Sequence, residues 1–283
     1  MLHRILTLGY CFLVLTAGAA TGCGAGSQSQ PTARPVAAEQ GLAFPAGSRF
    51  VDLTHTFDET TIYWPNSPSG FVLHRLAHGM TEAGFFYASN SITAPEHGGT
   101  HLDAPIHFAE GRTTAEAVPL SRLIGPAVVI DMSGAATQGP DALLAVSDVE
   151  AFERAHGAIA PGTIVLVRTG WAARWPDRRR YLGDDTPGDI SNLHFPGISR
   201  AAAEALVARG IAAVGIDTAS IDHGPSRDFI AHQVLMKADI PAFENLATLD
   251  ALPPRGALLI ALPMKIGGGS GGPLRAVAVL PPG

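Results

Sequence analysis

The densest chemistry in the chain is the run His97-Gly98-Gly99-Thr100-His101-Leu102-Asp103-Ala104-Pro105-Ile106-His107-Phe108. Three imidazoles and a carboxylate in so short a stretch offer neutral nitrogen and anionic oxygen, the donors that Zn2+, Mn2+ and Fe2+ accept. The His97/His101 spacing would put two ligands on one helical face, but Gly98, Gly99 and Pro105 argue against a helix. On an extended chain His101 and Asp103 share a face by the period of two. His97 must then be folded back by the diglycine, whose backbone reaches positive φ. The competing reading is a glycine-rich loop whose histidines are merely hydrogen-bonded.

Two further candidates stand far downstream. His232 follows Asp228-Phe229-Ile230-Ala231, and Glu244 sits in Pro241-Ala242-Phe243-Glu244-Asn245-Leu246. Taken alone, each has a plainer explanation: a lone His beside apolar residues is usually a satisfied structural one, and a lone Glu a solvated surface charge.

The elements that must position these residues are readable from short β-branched runs. Phe50–Leu53, Ala127–Asp131, Thr163–Arg168, Ala212–Ile216 and Ala257–Leu262 are apolar on consecutive positions, as central buried strands are, and Arg275–Leu280 adds a sixth. Ser147-Asp148-Val149-Glu150 reads as a capping box opening a helix through Arg154, with Gly157 as its stop. Ser199 caps a second helix, Arg200–Arg209, ended by Gly210. Strand–helix–strand order predicts an α/β domain with a mixed β-sheet core and flanking helices. No shift of composition follows Ser48, so residues 48–283 are expected to form one domain. Gly267-Gly268-Gly269-Ser270-Gly271-Gly272 lacks the Lys-Ser/Thr ending of a phosphate loop and predicts a tight turn or close backbone approach near the site. Arg178-Arg179-Arg180 reads as a solvated loop face.

His3 and Arg4 precede an apolar run, Ile5–Ala20, that ends in small residues, which predicts a signal peptide over residues 1–22. Ala19-Ala20-Thr21-Gly22-Cys23 resembles a bacterial lipobox, although Ala20 stands where Leu is commoner. The expected outcome is export, to a periplasmic or envelope-anchored location, with a lipid anchor on Cys23. Residues 23–47, rich in Gln, Ser, Pro, Ala and Gly, read as a flexible tether. Both cysteines, Cys11 and Cys23, fall in this region, so no disulfide is expected in the domain.

Composition narrows the function. Of 283 residues, 46% are hydrophobic, which excludes disorder over the whole chain. A formal net charge of −6 provides no field for phosphates and excludes nucleic acid as a partner. The 11 His in a chain only 16% charged point to metal or acid–base chemistry. No Gly-x-Ser-x-Gly elbow stands in a strand–turn–helix context, which disfavours a serine hydrolase.

The run from His97 to Phe108 resembles the signature of the cyclase / kynurenine-formamidase family of metal-dependent hydrolases. The likeness continues through Thr169-Gly170-Trp171, Phe195-Pro196-Gly197, Gly215–Ser220, Phe229–His232, Glu244-Asn245-Leu246 and Pro263-Met264-Lys265, and the longer stretches resemble its isatin-hydrolase-like branch. The resemblance implies a swivelling β/β/α-like fold and a site of one or two divalent metal ions, Mn2+ or Zn2+. It implies His97, His101, Asp103, His232 and Glu244 as ligands, with Asp103 able to bridge, and His107 as the acid/base group. Five ligands exceed what one tetrahedral zinc needs, in keeping with two ions. Trp64-Pro65 matches a family Trp-Pro pair near the substrate, but Asn66-Ser67 follow where Gly and an acidic residue are common. Trp64 either stacks on a planar substrate or fills a core gap. Phe85, Phe86 and Tyr87 are candidates for the same pocket, though aromatic residues are more often core.

The implied activity is hydrolysis of a carbon–nitrogen amide bond in a small aryl formamide or cyclic amide, by metal-activated water. Family members form dimers or tetramers, so a homo-oligomer is implied too. The alternatives are a non-catalytic metal or small-molecule binding envelope lipoprotein, against which His107 argues, and a hydrolase of cyclic esters or imides.

Overall fold

The apolar runs in the middle of the sheet become strands because both of their sides are covered, whereas Phe50–Leu53, expected to be central and buried, supplies an edge strand with Phe50 exposed. In the computed structural model, which describes residues 44–283, strand β1 spans Arg49–Asp52, β2 Val72–Met80, β3 Phe86–Thr93 and β4 His101–Asp103. Helix α1 (Leu120–Leu123) leads into β5 (Ile124–Asp131), followed by α2 (Ser133–Gln138), β6 (Leu143–Leu144) and α3 (Val146–His156). Then come β7 (Ile164–Arg168), α4 (Arg178–Leu182), β8 (Gly197–Ile198), α5 (Arg200–Ala208) and β9 (Ala213–Ile216). Helix α6 (Ile230–Lys237), β10 (Ala242–Glu244), β11 (Ala257–Pro263) and β12 (Gly271–Leu280) complete the order. The expected leader, Cys23 and the tether as far as Ala43 lie outside the described residues. Among the described residues no helix is long and apolar enough to cross a membrane.

Eight strands form one sheet in the order β1-β12-β11-β5-β7-β9-β10-β4, and a further pairing of β4 with β12 closes it into a barrel. The run β5-β7-β9-β10 is parallel, and the other pairings are antiparallel. Strand alternation sends Ile164 and Leu166 of β7 inward to Leu53, Leu102, Phe243 and Leu259. Val165 and Val167 point outward, under Val149 and Phe152 of α3, Leu206 of α5 and Leu235 of α6. Burying each such side chain contributes about 1.5–3 kcal/mol, and no polar residue interrupts β7 between Ile164 and Val167. The expected mixed α/β architecture is therefore present.

Local details differ from expectation in three places. Helix α3 opens at Val146, and the Ala145 N–H donates to Asp148 Oδ2 (2.8 Å), so Ser147 and Glu150 do not form the capping box. The three arginines 178–180 stand on α4 rather than a loop, with Asp177 accepting from the Arg180 N–H as its cap. Strand β12 begins at Gly271, four residues before the apolar run, because Gly271–Pro273 pair with His101–Asp103. Ser199 does cap α5, accepting from the Ala202 N–H.

Candidate metal centre

The three residues of β4 build the centre by period alone. Leu102 turns inward and is fully buried, so His101 and Asp103 share the opposite face. Antiparallel β10 sets Glu244 directly across from His101 and Phe243 across from Leu102, placing Glu244 on the same face. The diglycine returns His97 to that face. Gly98 (φ +145°) and Gly99 (φ +57°) pack under Tyr63 and Phe57, where an added Cβ would lie 2.1 and 2.5 Å from the rings. The fourth contributor, α6, starts with Asp222 accepting the Ala231 and His232 N–H groups, which aims His232 at β4.

These side chains meet. His97 Nδ1 lies 2.6 Å and His101 Nε2 3.1 Å from Asp103 Oδ1. His232 Nε2 lies 3.1 Å from Asp103 Oδ2 and 3.2 Å from Glu244 Oε1, and Glu244 Oε2 is 3.6 Å from His101 Nε2. All five proposed ligands therefore converge; two overlapping donor groups, His97, Asp103 and His107, and His101, Asp103 and Glu244, lie close enough to hold an ion, and His232 adjoins the second through Asp103 and Glu244. Asp103 belongs to both. His107 stacks on His97, ring centroids 3.8 Å apart, and so sits within donor reach itself.

The outer nitrogens are all engaged. His101 Nδ1 is 2.9 Å from the Gly99 carbonyl, His232 Nδ1 is 2.6 Å from Asp222 Oδ2, and His97 Nε2 is 2.9 Å from Ser270 Oγ. A carbonyl or carboxylate only accepts, so His101 and His232 donate outward and turn their Nε2 atoms toward the carboxylates.

Two buried carboxylates side by side need positive charge between them. Burial and the charge of Asp103 push the Glu244 carboxyl up. Burial alone would raise Asp103, but His101 and His97 hold it well below the usual carboxylate range. Burial alone would lower His101, yet Asp103 and Glu244 raise it to about 9, and His232 is likewise raised well above its ordinary value. Three imidazoles and two carboxylates with their donor atoms turned toward one another form a donor set that a divalent cation takes, so the residues present fit one.

Above the cluster lies a cavity of about 250 Å³, lined by Trp64, Phe108, Phe229, Ala219 and Ser220 together with His97, Asp103, His107, His232 and Glu244. Trp64 is therefore a cavity wall, 6.1 Å from Phe229 and edge-on to Phe195. Burial pushes His107 down to about 3, with the neighbouring imidazoles adding to it against Asp103. Phe85 is elsewhere: it is exposed at the turn between β2 and β3 and does not line this cavity. A larger cavity, about 660 Å³, lies beside His55, Arg168 and Trp175 and holds none of the five converging residues.

Sequence reasoning named neither Asp222 nor Glu96; it placed the run holding Ser270 near the site and Phe108 and Phe229 within the matching motifs, but gave none of these three side chains a role. The one usable signal was chemical: each ligating imidazole needs an acceptor or hydroxyl for its other nitrogen. Which one is a matter of tertiary contact.

Comparison with known proteins places the chain in a family. The Cyclase family model matches residues 51–223. Isatin hydrolase of Roseibium aggregatum is 37% identical over 217 residues, covering 74% of this chain and 81% of the relative. Kynurenine formamidase of Sphingopyxis alaskensis is 30% identical over 230 residues, covering 81% and 97%. A solved isatin hydrolase bound to the product analogue thioisatinate superposes with a TM-score of 0.76 at 32% identity, covering 83% of this chain and 93% of that one. The chain belongs to the Cyclase family.

Proposed function

We propose that this protein hydrolyses the carbon–nitrogen bond of a small aryl amide, cyclic like isatin or linear like N-formylkynurenine, at a centre of one or two divalent cations. One observation carries the reading: three imidazole nitrogens and two buried carboxylates converge around Asp103 on the floor of an aromatic-walled cavity. Bound there, the cation supplies Lewis acidity toward the carbonyl and brings the pKa of water toward neutrality. His97, His101, His232, Asp103 and Glu244 would hold it, with Asp103 common to both donor groups. Zn2+ and Mn2+ both accept this donor set, and the affinity order favours Zn2+ at equal supply.

The chain's own groups do the rest. Trp64 and Phe229 give a planar ring apolar faces to lie against and exclude water around the amide. His107, which lines the cavity and stacks on His97, takes a proton from the attacking water and hands it to the departing nitrogen. An aniline-type nitrogen departs more easily than an alkyl amine, which suits a single imidazole as the acid. The test is turnover of isatin and of N-formylkynurenine by purified protein, with and without chelator. Hydrolysis of at least one is expected, abolished by the chelator and restored by Zn2+ or Mn2+. Inertness toward both when metal-replete refutes the reading.

The β2–β3 hairpin supports a second part of the proposal, a dimer or tetramer. Leu73, Leu76, Met80, Phe85, Phe86 and Ile92 are all exposed on it. A two-stranded ribbon is marginal in water alone, and an apolar patch of this extent marks an interface. Light scattering should give two or four times the chain mass, and the double variant Leu76→Glu/Phe86→Glu should give the monomer. A monomeric wild type refutes it.

A further inference from the structure

The glycine-rich run 267–272 is not used by the chemistry above, yet its serine touches the centre. Ser270 donates both its N–H (3.0 Å) and its hydroxyl (2.6 Å) to Glu96 Oε2, and its Oγ lies 2.9 Å from His97 Nε2. The glycines on either side make this contact sterically specific. A Cβ at Gly269 would meet Glu96 Oε1 at 2.8 Å, and one at Gly271 would meet the Leu102 carbonyl at 2.4 Å and His97 Cε1 at 2.6 Å. Gly268-Gly269-Ser270-Gly271-Gly272 spells a nucleophile elbow, but it leads into strand β12, and its hydroxyl is committed to a carboxylate.

We infer that Glu96 and Ser270 are positioning residues that fix the tautomer of His97. A serine hydroxyl has one proton, and a carboxylate can only accept. Because Glu96 takes that proton, Ser270 Oγ faces His97 as an acceptor, so Nε2 must carry its hydrogen. Nδ1, 2.6 Å from Asp103, is then the nitrogen left for a cation. His97 would thus bind through Nδ1, whereas His101 and His232 present Nε2. Their outer partners are a carbonyl and a carboxylate, which act without an intermediary. His97 alone depends on a relay of two residues, and it is the more exposed ring, its side chain 26% accessible against 3% and 4%. This rests on the reading of the cluster as a metal centre.

The test uses full-length protein with Zn2+ as the probe and two readouts, affinity by competition with a chromophoric chelator and long-range 1H–15N correlation of the labelled histidines. Wild type should bind Zn2+ with His97 in the Nε2–H form. Ser270→Ala should lose about tenfold to a hundredfold in affinity, the usual consequence of removing a ligand's outer partner. Glu96→Gln keeps the shape but can turn its amide N–H to Ser270 Oγ, which frees the hydroxyl proton. It should show both His97 tautomers and a smaller loss, and it decides the matter if Ser270→Ala does not fold. Wild-type affinity with an unchanged His97 tautomer in both variants overturns the inference. A wild type that takes up no divalent ion overturns the metal reading itself.

Discussion

Asp103→Ala protein is expected to purify without metal and to lack turnover. Asp103 is 1% exposed and, among the described residues, is the one whose oxygens face His97, His101 and His232 together. Removing it takes a proposed ligand from both donor groups at once and leaves Glu244 as the one carboxylate among the proposed ligands. The loss should exceed the roughly hundredfold upper range for an outer partner, because the charge that offsets the cation is itself removed. Metal per chain after dialysis measures this, and full occupancy refutes the assignment. Thermal melting supplies an independent check. A cation that binds only the folded state raises its stability, so wild type should melt lower with chelator, while Asp103→Ala should melt alike with and without it. The variant also loses the partner that His101 and His232 hold at short range. Its folding is still expected, since the inward side of β4 is anchored by Leu102 packing in the barrel core.

What could be read beforehand follows the range of the interaction. The His101/Asp103 face needs only a strand period, and Leu102 between them is the apolar residue that fixes its direction. The diglycine return of His97 was legible because only glycine tolerates those backbone angles against the rings of Tyr63 and Phe57. His232 and Glu244 were undecidable from local spacing, since their place depends on the register of β10 on β4 and on a helix started by Asp222. The resemblance of the surrounding motifs, rather than any property of the two residues alone, singled them out. Ser270 and Glu96 are 174 positions apart, and no periodicity links them. Phe85 shows the opposite failure. An aromatic residue in a β-rich stretch reads as core or pocket, but here the sheet that would cover it ends at a two-stranded ribbon.

His107→Ala should keep its metal and lose turnover by about a hundredfold or more, with KM little changed. The metal half of that statement is the informative one, because His107 lies in the same donor group as His97 and Asp103. If it is a ligand, occupancy falls with activity. If it is the proton carrier, occupancy stays at the wild-type level while kcat falls. Stacking at 3.8 Å on His97 is compatible with either role, and both rings line the cavity, but His97 Nδ1 lies 2.6 Å from Asp103, whereas the His107 ring makes no hydrogen bond to a carboxylate among the described residues. A substrate series separates the steps. Where the departing nitrogen carries an electron-withdrawing aryl group it needs less help from an acid, so the penalty of His107→Ala should shrink across isatins of increasing ring acidity. A constant penalty would place His107 in activating the water alone, and unchanged kcat would remove it from the reaction.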